Sequence, residues 1–128
     1  MIQVSNGRKK GFKLKVPNNK LVRPKTSMVR KMIFDILPSV QGMRVLDVFA
    51  GSGSLGIEAL SMGAKHSIFI DNNPASIKCI KDNIIKCEYQ GESTVIKKDY
   101  AEGLRTMIKE KHKFDLIFID PPYSYFDE

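Results

Sequence analysis

The sequence predicts an α/β fold, a mainly parallel sheet with helices on both faces, preceded by a β-hairpin and a helix. Three observations lead there. Short apolar runs recur at Arg44-Val-Leu-Asp-Val-Phe49, Ser67-Ile-Phe-Ile70, Ser93-Thr-Val-Ile-Lys97 and Asp115-Leu-Ile-Phe-Ile119, with stretches of helical period between them. The first run enters a glycine-rich turn, Asp47-Val-Phe-Ala-Gly-Ser-Gly-Ser-Leu-Gly56, that opens the next helix. Strands joined through helices are parallel, because the crossover helix carries the chain back to the end of the sheet where the previous strand began.

The elements follow in order. Ile2 and Val4, then Phe12, Leu14 and Val16, alternate with polar residues on either side of Asn6-Gly7, as in a hairpin or a pair of short strands. Pro17 to Lys20 is a turn and Leu21 to Pro24 an extended link. A helix capped by Thr26 or Ser27 runs to Leu37 before Pro38, with Val29, Met32, Ile33, Ile36 and Leu37 as its apolar face. The glycine turn starts a helix from Ser54 to Met62 that stops at Gly63. Asn73-Pro74 supplies the cap and first residue of a helix reaching Lys86. Asp99 precedes a helix over 101–111.

At 128 residues and 42% hydrophobic, the chain suffices for one core. No apolar run approaches the ~20 residues of a membrane span, and Met1-Ile-Gln-Val-Ser-Asn6 lacks a signal-peptide pattern, so a cytoplasmic location and no membrane partner are expected. Cys79 and Cys87 lack metal-ligand spacing and are expected as free thiols at packing positions, with no metal site. The net charge of +7 is uneven. Residues 1–31 hold ten Lys or Arg and no acid, whereas the remaining 97 hold 11 basic and 14 acidic residues. A basic front end on a mildly acidic body suits nucleic acid, since neutralising phosphates releases counterions.

Gly51, Gly53 and Gly56 form G-x-G-x-x-G between strand and helix. Such a turn accommodates either a dinucleotide pyrophosphate or the methionine and ribose parts of S-adenosylmethionine. Asp47 favours the second, because a carboxylate repels pyrophosphate and attracts an ammonium. In a sheet of this kind ligands bind beyond the carboxyl ends of the strands, where this chain places Asp47, Asp71, Asp99 and Asp120. Asp71, 24 residues after Asp47, suits the two hydroxyls of a ribose. Asp71 and Asp99 are equally readable as ordinary caps.

Asp120-Pro-Pro-Tyr123, at the end of an apolar strand, resembles the loop of S-adenosylmethionine-dependent amino-methyltransferases. Two prolines fix such a loop. The resemblance implies that Asp120 and the Pro121 carbonyl accept hydrogen bonds from an exocyclic amine, that Pro122 stiffens the loop, and that Tyr123 stacks on an unstacked base.

A wider match joins Lys13-Leu-Lys-Val-Pro17, Arg23-Pro24, Val29-Arg30, Phe34-Asp-Ile-Leu37, Leu46 to Leu60 and Phe118 to Tyr123, and resembles the RsmD-type methyltransferases. That family methylates N2 of a guanine in small-subunit (16S) ribosomal RNA. The resemblance implies a Rossmann-like S-adenosylmethionine-dependent methyltransferase fold with S-adenosyl-L-methionine as cofactor. Asp47, Phe49, Gly51, Gly53, Asp71, Asn72, Asp99 and Tyr100 would line the cofactor site. Arg8, Lys9, Lys10, Lys13, Lys15 and Arg23 would contact ribosomal RNA or the small ribosomal subunit. It also divides the chain into a basic hairpin and helix, 1–38, and a partial methyltransferase core, 39–128. Lys25 stands where a Thr is common and Lys31 where an acid is common. Family members continue past this motif into further strands and are expected as monomers, so a chain stopping at Glu128 reads as truncated, with self-association expected at the uncovered edge of the last strand. The competing expectations are a dinucleotide-dependent oxidoreductase, a DNA amino-methyltransferase acting on adenine N6 or cytosine N4, and a non-catalytic RNA-binding module.

Overall fold

The structure, a computed structural model, describes residues 2–17 and 27–121. Arg23, Pro122 and Tyr123 lie outside the described residues. Two sheets form. Strands β1 (Ile2–Gln3) and β2 (Lys13–Leu14) pair antiparallel, and β3 (Arg44–Val48), β4 (His66–Asp71), β5 (Ser93–Lys97) and β6 (Leu116–Ile119) form a parallel sheet in the order β5-β4-β3-β6. Helices α1 (Ser27–Ile36), α2 (Ser54–Ser61), α3 (Pro74–Lys86) and α4 (Tyr100–Lys109) complete the described elements. The chain moves outward from β3 to β5, then returns across β3 to place β6 on its other side. Val48 is therefore flanked by Ile70 and Ile119, and the order reverses at β3, the kind of switch point where α/β sheets hold ligands.

Side chains alternate across the sheet, so each face collects its own core. Val45, Phe69 and Phe118 meet Ile57 and Leu60 of α2, Ile80 and Ile84 of α3, and Phe34 of α1, and the same cluster includes Val4 and Leu14 of the front end. On the other face Leu46, Val48, Ile68 and Ile70 are covered by Met107 of α4. Gly103 permits that contact, because a Cβ there would sit 2.8 Å from Ile70. The helices start where the caps dictate. Asn73 accepts from the amides of Ala75 and Ser76, with Pro74 at the first helical position, and Asp99 accepts from Ala101 and Glu102. No helix among the described residues is long and apolar enough to cross a membrane.

The front end forms the expected antiparallel hairpin of two short strands, joined by more than the two residues Asn6-Gly7. Between Val4, whose amide donates to Phe12, and Leu14 the chain makes a longer loop whose amides find partners on α2. Ser5 and Asn6 donate to the Glu58 carboxylate at 2.8 and 2.7 Å, Arg8 to the Ser61 carbonyl and Lys9 to the Ser61 hydroxyl. Gly7 has φ +83, and a Cβ there would lie 2.0 Å from the Ser61 carbonyl oxygen, so the loop can lie on α2 only with glycine at this point. The departure from expectation is the face α1 turns inward. Met32 and Ile36 stay exposed, Ile36 at 81%, while Arg30 is fully buried and Phe34 packs on Phe118 with ring centroids 5.7 Å apart. The buried row is Arg30, Ile33, Phe34 and Leu37, which has helical spacing but contains a charge. The charge has partners: the Arg30 guanidinium donates to the Gln3 carbonyl and lies 3.8 Å from Glu58. A face chosen by apolarity alone therefore misses it.

Candidate cofactor and base site

The residues expected at the strand ends fall in one row. Along the carboxyl rim of the sheet, Asp99 follows β5, Asp71 ends β4, the glycine turn follows β3 and Asp120 follows β6. The turn is tight: Ala50 donates to the Ile70 carbonyl and Gly53 to the Ala50 carbonyl, and Gly51 and Gly53 have φ of 62 and 80. Gly56 has a different purpose, close packing of α2 on the sheet, since a Cβ there would lie 2.4 Å from the Phe69 ring.

Two aspartates hold the turn. Asp71 accepts from Gly51 N–H through one carboxylate oxygen and from Asn73 N–H through the other, each at 2.9 Å, which ties the end of β4 to the turn. Asp47 is 2% exposed and lies beneath the turn, accepting from Gly56 N–H at 3.1 Å. Gly53 is the N-cap of α2 and has no side chain to offer, so Asp47 supplies the cap from the strand. Burial pushes the Asp47 carboxyl up to about 8; the Gly56 hydrogen bond opposes this, and Asp120 and Asp71 add to it. A cationic group seated at this rim would favour the ionised form of Asp47, whereas a pyrophosphate would disfavour it further.

Phe49 and Tyr100 come together at the same rim, with centroids 5.1 Å apart and Tyr100 exposed. Phe49 has φ 62, uncommon outside glycine and a form of strain that accumulates at binding sites. Asp99 uses one oxygen as the α4 cap, and Asn72 is exposed beside Asp71. Asp120 is exposed after β6 and Pro121 is half-buried. Among the described residues no cluster of His, Cys, Asp or Glu could hold a metal, and Cys79 and Cys87 are buried free thiols.

The basic residues differ in availability. Arg8, Lys10, Lys13 and Lys15 are exposed. The Lys9 ammonium lies over the rings of Phe12 and Tyr89, at 5.2 and 5.7 Å, and is engaged within the fold. Lys15 pairs with Asp82 at 3.4 Å. Four residues with no part in the sequence reading of the site organise these groups: Arg30, Glu58, Ser61 and Asn83. Glu58 carried the one available signal, as the single charge in a helix of otherwise small or apolar residues. Burial raises its pKa, and the Ser5 and Asn6 amides and Arg30 oppose the rise.

Residues 2–127 match the family described as conserved hypothetical protein 95. Over 124 residues the chain is 41% identical to "Putative rRNA methyltransferase YlbH" of Bacillus subtilis, covering 96% of this chain and 67% of that protein. Over 127 residues it is 33% identical to ribosomal RNA small subunit methyltransferase D of Haemophilus influenzae, covering 97% of this chain and 65% of that one. The chain thus spans about two thirds of the length of these curated relatives. A solved hypothetical protein of Thermus thermophilus superposes with a TM-score of 0.86 at 28% identity, covering 97% of this chain and 71% of the other. A match running through the front end, the glycine turn and the last strand together places the chain in the conserved hypothetical protein 95 family, that of the RsmD-type methyltransferases.

Proposed function

We propose that the chain binds S-adenosylmethionine at the glycine turn and serves methyl transfer to the exocyclic N2 amine of a guanine in small-subunit ribosomal RNA. One observation carries the reading. Asp99, Asp71, the glycine turn and Asp120 stand in that order along one rim, with Asp120 and Pro121 following the strand next to the turn. The names of the Bacillus and Haemophilus relatives support ribosomal RNA as the substrate class.

The residues fit the cofactor by their chemistry. The bound group supplies a methyl activated by a sulfonium; the chain supplies placement. Asp47 and the amides of the turn receive the amino-acid end, Asp71 the ribose hydroxyls, and Asp99 the adenine amine beside the Phe49 and Tyr100 rings. A guanine amine is a poor nucleophile because its lone pair is delocalised, so orientation supplies much of the rate. Asp120 and the Pro121 carbonyl accept hydrogen bonds from that amine and direct its lone pair, with Tyr123 stacking on the base. Asp120 need not be a strong base, since the amine becomes acidic only as the new bond forms. In this reading residues 1–38, with Arg8, Lys10, Lys13, Lys15 and Arg23, contact RNA and 39–128 hold the cofactor.

Calorimetric titration with S-adenosylhomocysteine, with NAD as control, tests the proposal. Saturable binding of the first alone is expected, weakened in Asp71→Ala and kept in Asp120→Ala, which loses methyl transfer only. Binding of NAD alone would overturn it, and equal loss of cofactor in both variants would overturn the division of roles.

A further inference from the structure

A shallow groove of about 310 Å³ lies between β2 and α3, lined by Lys15, Asp82, Asn83, Ile85 and Lys86. We infer that it is an RNA-binding surface that takes the sugar–phosphate backbone beside the target nucleotide, and that Lys86 of α3 contacts phosphate together with Lys13 and Lys15. The inference rests on the proposed RNA substrate and extends it to an element outside the basic front end.

Three features support it. The first is continuity of charge. The Lys86 ammonium donates to the Lys13 carbonyl at 2.6 Å, so the last turn of α3 is fastened to the basic strand and its charge joins those of Lys13 and Lys15 on one exposed surface. Among the described residues Asp82 is the only acid lining the groove, and its 3.4 Å pair with Lys15 is solvent-exposed on both sides, a weak contact that a phosphate can replace. The second is the wall. Ile85 is 57% exposed between these charges, an apolar surface of the kind that ribose and base faces cover.

The third is the position of the groove relative to the proposed chemistry. Asn83 is 1% exposed and satisfies three partners: it accepts from Lys15 N–H at 2.8 Å and donates to the Lys15 carbonyl and the Ser52 carbonyl, each at 2.9 Å. Ser52 lies within the glycine turn. One buried amide therefore fixes Lys15 to the turn, and RNA bound in the groove is held at a set distance from the methyl donor.

The test is fluorescence-anisotropy binding of a labelled small-subunit rRNA fragment across a salt series, using the parent, Lys86→Gln, and Lys109→Gln on the opposite face of the sheet. Lys86→Gln should weaken binding several-fold at low salt and lower the slope of log K against log[salt] by about 0.7–0.9, the value for one lost phosphate contact. Lys109→Gln should leave both unchanged. S-adenosylhomocysteine affinity should be the same in all three. Unchanged RNA binding in Lys86→Gln, or equal losses in the two variants, would overturn the groove while leaving the RNA substrate standing. A parent that binds S-adenosylhomocysteine but not RNA would overturn both. Equal affinity and salt slope for polyglutamate would assign the surface to an acidic protein.

Discussion

Replacing Asp47 by Asn should change how stability depends on pH. In the folded chain burial holds the Asp47 carboxyl at about 8, against an ordinary 3.8. Above pH 4 the unfolded chain has released this proton, while the folded chain keeps it until about pH 8. Stability must therefore fall as pH rises across that window, by about 1.4 kcal/mol per unit, and level off above it. The whole window amounts to something on the order of 5 kcal/mol, a large share of the stability of a small domain. Asn is close in shape and its carbonyl can still accept from Gly56 N–H, so the α2 cap survives without a titrating proton. Urea denaturation of both proteins at pH 5, 7 and 8.5 isolates the effect, because other titrating groups cancel in the difference. The variant should gain on the parent as pH rises and be the more stable at pH 8.5. Parallel curves would refute the reasoning, and a variant less stable at pH 8.5 would show that the ionised carboxylate is needed in the fold.

Two further substitutions probe the supports of the site. Glu58→Ala removes the carboxylate facing the Arg30 guanidinium and accepting from the amides of Ser5 and Asn6; breaking a buried pair of this kind costs about 3–5 kcal/mol, measured by urea denaturation, with faster hydrogen exchange at Ser5 and Asn6 before other amides. Gly56→Ala puts a methyl 2.4 Å from the Phe69 ring and should cost about 1–3 kcal/mol, part of which Phe69→Leu should restore in the double variant.

Much of this was legible in the sequence because local rules agree with the global fold. Asn73-Pro74 states a helix start outright, and α3 runs from Pro74 to Lys86 as its cap and periodicity predict. The apolar runs stand as strands within a residue or so of their expected ends, and the aspartates line one rim because every parallel strand presents its carboxyl end on the same side. The misses share one cause. Arg30, Glu58 and Asn83 are buried polar residues whose partners lie 27 to 68 positions away, so no window of sequence contains both halves of any interaction. Asp47 shows the limit at the site itself. Its place before the glycine turn suggested a ligand contact, and only the fold reveals that it caps α2 from below.

The position of Glu58 matters beyond stability. Helix α2 begins at the glycine turn, carries Glu58 near its middle and ends at Ser61, and all eight of its residues are buried. At 1.5 Å per residue it is a rod of about 12 Å. Its first turn is fixed to β3 through Asp47, while Glu58 and Ser61 together receive the amides of Ser5, Asn6, Arg8 and Lys9. The helix that presents the glycine turn is thus also the one on which the basic loop rests. Under the proposed function Asp120 would hold the base and the front end the RNA backbone, and a fixed separation between the two would make that geometry repeatable. Glu58 satisfies amides of the loop and Arg30 the Gln3 carbonyl, backbone groups that hydrocarbon side chains cannot serve.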